Sequence, residues 1–164
     1  MGFGSSGSSR FSLQNILNLV LRFLQIVFAL AVVGLYAQDL NKADKVDKYS
    51  DSRWGFATAV AVLSAITALV YAILPLLMSS FTTAILFGWD AILFILWTAV
   101  FGLFGSMYIN VDPGSDGGIS RMKNAVWIDL INMLLWFVSA IVGGIGFWRW
   151  RKGSRSLHTG RATL

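Results

Sequence analysis

From Trp54 to Trp89 the chain carries no charged residue, and most of that stretch is Ala, Val, Leu, Ile and Phe. A run of this kind belongs in hydrocarbon, where no water is present to bond the backbone amides. Such a segment must satisfy its amides internally, as a helix or within a closed barrel. Barrel strands would appear as short segments of alternating polarity, and these residues do not alternate. The run is longer than the roughly 20 residues that cross a core about 30 Å thick. It fits two helices that meet at Ser79, Ser80, Thr82 and Thr83.

Two further stretches have the same character. One runs from Ile16 to Ala37, interrupted by Arg22 and Gln25; the other runs from Ala125 to Trp148 and is closed by Arg149, Arg151 and Lys152. The expected fold is therefore an all-α membrane protein, a four-transmembrane-helix bundle with short loops and both termini on the same side. Its spans are expected at about 16–37, 54–78, 83–109 and 125–148. Residues 1–15 read as a flexible polar N-terminus and 149–164 as a basic C-terminal tail. Tyr36, Trp54, Tyr108 and Trp127 mark one interface as an aromatic belt, and Trp148 and Trp150 mark the other. Pro75 is expected to kink or end the second span.

Composition narrows the function. Of 164 residues 56% are hydrophobic and 13% charged, and every acid is Asp. The absence of Cys excludes disulfides, thiolate chemistry, Cys-ligated zinc and palmitoylation. With no Glu, a single His at His158 and no nucleophile or phosphate-loop motif, no catalytic residue, metal site or cofactor is expected, and the chain reads as not an enzyme. Met1, Gly2 and Ser6 match the myristoylation pattern, a short one that recurs by chance. Asp112 and Asp116 lie in a DPGSDGG turn that lacks the further carboxylates of a calcium loop.

The net charge is +5. The bases sit beside apolar spans rather than in a stripe with exposed aromatics, so the expected anionic partner is lipid, not nucleic acid. Seven Lys and Arg fall on the terminal face and six on the other, where six Asp accompany them. Both termini are accordingly expected in the cytoplasm, though the rule itself counts only bases. The tail bases Arg149, Arg151, Lys152 and Arg155, next to Trp148 and Trp150, are candidate contacts to anionic lipid.

Ionisable groups inside a membrane are costly and mark candidate sites. The intramembrane polar residues are Arg22, Gln25, Asp90, Asp129 and Asn132. Arg22 and Asp90 lie at matching depths on helices running in the same direction, so they could pair, fixing the first helix against the third. Asp129 is only a few residues into the fourth span, within reach of water. Small residues at spacing four, Ala57, Ala61 and Ala65, then Gly102 and Ser106, then Ala140 and Gly144, are expected to pack helices within the chain or between copies.

Arg22, Phe23, Leu24 and Gln25, followed by Phe28, Ala29, Gly34, Leu35 and Tyr36, resemble the first helix of fungal MARVEL-domain proteins. WDAILFILW from Trp89 to Trp97, FGLFG from Phe101 to Gly105 and WIDLINMLLWFVSA from Trp127 to Ala140 are similar to that family's third and fourth helices. The resemblance covers roughly Leu17 to Trp148. It implies a role in membrane apposition, vesicle traffic and lateral organisation, with the plasma membrane or secretory-pathway vesicles as the location and no catalytic residues to carry over. Claudins and tetraspanins depend on loop Cys, which this chain lacks. The expected function is thus a non-enzymatic integral membrane protein that organises membrane through helix packing and lipid contact, with lipids, other copies or other membrane proteins as partners. The alternatives are a small transporter or channel using Asp90 and Asp129, and an accessory subunit of a membrane complex.

Overall fold

The computed structural model describes residues 7–45, 52–77, 83–115 and 117–159. Within them the chain forms four helices: α1 (Gly7–Lys45), α2 (Ser52–Leu77), α3 (Thr83–Tyr108) and α4 (Gly117–Thr159). Each is long and apolar enough to cross a membrane. No strand occurs among the described residues.

Two helices run well past their apolar stretches. α1 starts at Gly7, so residues 7–15 are helical rather than a flexible leader, and it continues through the polar segment Gln38–Lys45. α4 starts at Gly117 rather than near Ala125, and it carries the basic tail on as helix to Thr159. The physical reason is that nucleation is the costly step in making a helix. Once a span has formed, each added residue brings a hydrogen bond with little further penalty. Hydropathy marks where a helix enters lipid, not where it stops. α2 ends at Leu77, two residues beyond Pro75. The Met1, Gly2 and Ser6 pattern and the break at Ser79 to Thr82 lie outside the described residues.

Between α3 and α4 the chain turns tightly. Gly114 has φ +47°, a left-handed conformation open to glycine, and its N–H donates to Asp112 Oδ1 at 3.1 Å. The Lys123 ammonium donates to the Val111 carbonyl at 2.9 Å, tying the first turns of α4 to the loop.

α1 packs intimately on α2 and α3 on α4; α1 against α4 joins the two hairpins, and α2 and α3 touch least. Around the bundle the order is α2, α1, α4, α3, which leaves α1 and α3 on one diagonal. Ala57, Ala61, Leu93, Trp97, Val100, Phe104, Val126 and Trp136 fill the centre. The outside is apolar as well: Phe23 is 64% and Ile95 63% exposed, with Ile66, Leu134 and Val142 similarly open. Lipid, not water, is the solvent such a surface fits.

The small-residue stripes divide. Ala57, Ala61 and Ala140 are buried, with Ala65 and Gly144 half-buried beside them. Gly102 and Ser106 are exposed, and a methyl group on Gly102 would meet no atom within 4 Å. They do not bring helices together within this chain, which leaves contact between copies as the other half of the expectation. The close approach on α3 is at Gly105, where an added methyl group would meet Ile109 Cδ1 at 3.4 Å and Val126 Cγ1 of α4 at 3.9 Å. Gly102 lies three residues from Gly105, yet the difference of one residue between Ser106 and Gly105 turns the stripe by about 100° on a helix with 3.6 residues per turn.

Candidate functional site

Arg22 enters the bundle from α1, and its side chain is only 16% exposed. A guanidinium has five N–H donors in a fixed plane, and its faces are open to aromatic rings. Nη1 donates to Gln25 Oε1 at 2.8 Å, one helical turn along α1. Nη2 reaches across the diagonal to Asp90 Oδ2 on α3, forming an ion pair at 3.3 Å. The cation also lies 4.6 Å from the centroid of the Tyr71 ring on α2 and 5.7 Å from that of Trp136 on α4. One side chain therefore contacts all three other helices.

Its partners are held in turn. Ser139 on α4 donates its hydroxyl to Asp90 Oδ2, so that oxygen accepts from two helices. Gln25 is fully buried, and its Nε2 donates to the Leu135 carbonyl of α4 at 3.4 Å. Ion pairs in a low-dielectric setting hold when further hydrogen bonds satisfy both partners. Gln25 supplies such a bond to Arg22 and Ser139 one to Asp90 Oδ2, and together they make the group a clasp joining the four helices at one depth.

A second polar group lies nearer the loop face. The Tyr36 hydroxyl donates to Asp129 Oδ2 at 2.7 Å, and its ring packs 4.6 Å from that of Phe104. Tyr36 and Asp129 are both fully buried. Tyr36 is thus not part of an aromatic belt, and Asp129 does not reach water. α4 begins about three turns before Asp129 at 3.6 residues per turn, and those turns shield the carboxylate. Asn132, also fully buried, donates Nδ2 to the Ile128 carbonyl at 3.1 Å. Among the described residues, Asp129 Oδ1 and Asn132 Oδ1 accept no donor, and neither does Asp90 Oδ1.

Between the two groups, Trp97 Nε1 of α3 donates to Ser64 Oγ of α2 at 2.9 Å, and Trp89 Nε1 donates to Thr67 Oγ1 at 3.2 Å. These bonds join the least packed pair of helices. The five intramembrane polar residues read from sequence thus fall into two clusters, Arg22, Gln25 and Asp90 in one, Asp129 and Asn132 in the other. Tyr36, Tyr71, Ser139, Ser64 and Trp97 complete the polar interior, and the sequence marked none of them as a hydrogen-bonding partner of these groups. A signal for Ser139 was present, since it follows Asn132 by seven residues and shares its helix face.

At the terminal face Arg149, Arg151 and Lys152 are exposed, and Lys152 Nζ sits 3.7 Å from the centroid of the exposed Trp148 ring. The side chain of Arg155 lies outside the described part.

Residues 15–142 match the family model described as MARVEL, a membrane-associating domain. No curated protein matches the chain.

Proposed function

The chain belongs to the MARVEL family of membrane-associating domains, and from that membership we propose that it is a non-enzymatic organiser of membrane, acting by helix packing and lipid contact. Lateral domains, membrane apposition and vesicle traffic are the settings in which such an activity operates. The observation that carries this reading is the division between inside and outside. Arg22, Gln25, Asp90 and Ser139 are bonded to one another across the helices, while the lipid-facing surface is apolar on every helix. A transport path needs polar groups turned toward the solute. Here the strongest charges are turned toward each other, which favours a structural role for them.

On this reading both termini are cytoplasmic, the membrane is the plasma membrane or that of secretory vesicles, and the basic end of α4 meets anionic headgroups. Its partners are lipids together with further copies or other membrane proteins. Extraction in native lipid discs, followed by measurement of particle mass and of the copurifying lipids and proteins, tests it. An assembly enriched in particular lipids supports the proposal. A lone monomer surrounded by lipid of bulk composition would refute it, as would solute flux in liposomes that Asp90→Asn abolishes without loss of helicity.

A further inference from the structure

On the half of the bundle nearest the termini, α3 and α4 leave an open groove on the lipid-facing surface, with a volume of about 470 Å³. Its inner end is made by Phe94 and Phe137, whose rings lie 5.1 Å apart, and its outer end by Trp148. Ala140 and Gly144, with little or no side chain, form the floor. Along α4 the distance from Phe137 to Trp148 is about 16 Å, at about 1.5 Å of rise per residue. One leaflet of a hydrocarbon core about 30 Å thick has nearly that depth. The groove therefore starts near the bilayer middle and opens at the headgroups.

What lies at its mouth is charged. Arg149 and Lys152 follow Ile145 and Trp148 by one helical turn each, so they continue the groove's face beyond the hydrocarbon. Lys152 is held over the Trp148 ring, and Arg151 stands exposed beside it. An apolar trough one leaflet deep, ending in three cations, matches a molecule with a long chain and an anionic head. We propose that this groove holds one acyl chain of an anionic glycerophospholipid, with its phosphate-bearing headgroup among Arg149, Arg151 and Lys152. The proposal deepens the lipid-contact reading above and rests on it.

Charge selects this occupant over the others. A sterol would leave all three cations without a counter-charge, and a zwitterionic lipid has no net charge to offer them. A second copy inserted in the same direction would bring its own three cations alongside, where like charges repel.

The test uses the full chain reconstituted into vesicles of equal parts phosphatidylserine and phosphatidylcholine, then released for native mass spectrometry. The expected result is one phosphatidylserine retained per chain in preference to phosphatidylcholine. Each base near an anionic surface contributes roughly fivefold in affinity, so the double change Arg149→Gln and Lys152→Gln lowers phosphatidylserine retention about thirtyfold. Both positions are exposed and lie beyond the apolar span, so exchange to Gln is expected to leave the fold intact. Gly144→Leu raises the groove floor and removes retention whatever the headgroup. Equal retention of the two lipids by the unaltered chain overturns the proposal, and so does undiminished phosphatidylserine on the double Gln variant. A second copy covering the groove does so too. Oligomeric state is read from the same spectra. An assembly without lipid preference removes the groove site but leaves the organising role, whereas a lone monomer without lipid preference removes both.

Discussion

Replacing Asp90 with Leu would leave the Arg22 guanidinium inside the bundle without its counter-charge. Unit charges about 4 Å apart attract by about 4 kcal/mol at an effective dielectric constant near 20, and the observed separation is 3.3 Å. Removing one member of a buried pair typically costs about 3–5 kcal/mol, because the other is left desolvated and unpaired. Arg22 would keep its bond to Gln25 and its contact with the Tyr71 ring, which places the loss at the low end. The expected destabilisation is about 3 kcal/mol, a change of roughly a hundredfold in the folded-to-unfolded ratio. Adding Arg22→Leu removes the stranded charge. Hydrophobic replacements of buried ion pairs are often nearly neutral, so the double variant should regain about 2 kcal/mol. The remaining deficit of about 1 kcal/mol reflects Ser139 and Gln25, which lose partners. Reversible unfolding in bicelles, followed by far-UV helicity and tryptophan fluorescence, gives all three values. The reasoning fails if Asp90→Leu is as stable as the parent, or if the double variant is no more stable than the single one.

Four further outcomes follow from the packing and the hydrogen bonds of the bundle. Tyr36→Phe removes the donor at 2.7 Å from Asp129, and in the same unfolding assay should cost about 1–3 kcal/mol, the range for a buried acceptor left without its partner. Trp97→Phe removes a bond across the loosest seam, so amide exchange in α2 and α3 should accelerate before exchange in α1 changes, as read by hydrogen–deuterium mass spectrometry. Ala61→Leu puts bulk into a fully buried position and should destabilise by about 1–3 kcal/mol. Gly102→Leu, on an exposed face, should stay within about 0.5 kcal/mol, with thermal melts in detergent separating the two.

The four spans were legible because a membrane imposes a length and a composition that few other settings do. Helix ends were less so: the polar segments Gly7–Asn15 and Gln38–Lys45 look like a leader and a loop by hydropathy, yet they extend a helix that lipid has already nucleated. Depth along the helix was a sound guide for Arg22 and Asp90, whose rise from the same face brought them to one level. It misled for Asp129, because its burial depends on where α4 starts and on the Tyr36 hydroxyl arriving from another helix. The aromatic partners Tyr71 and Trp136 could not be read from composition, since an aromatic residue in a span suits lipid, an interface or the core equally well.

In water the inner face of a helix is its apolar face; in lipid both faces are apolar, so hydrophobic pattern loses its power to assign register. Polar residues take over that role, because in hydrocarbon they must find partners inside. Stepping by seven residues from each buried polar group lands on the core of its own helix: Asp90 leads to Trp97 and Phe104, Gln25 to Val32, Asp129 to Trp136, and Ser64 to Ala57 and Tyr71. A seven-residue repeat is the signature of helices inclined by about 20° in a left-handed bundle, where one seam keeps facing the centre. On α3 the buried seam runs Asp90, Leu93, Trp97, Val100 and Phe104, in steps of three and four, and Gly102 and Ser106 lie off it on the outward face. The clasp around Arg22 therefore does more than hold four helices at one depth. By fixing the rotation of each helix near the terminal face, it decides which residues far along the span meet at the centre and which are left to the lipid.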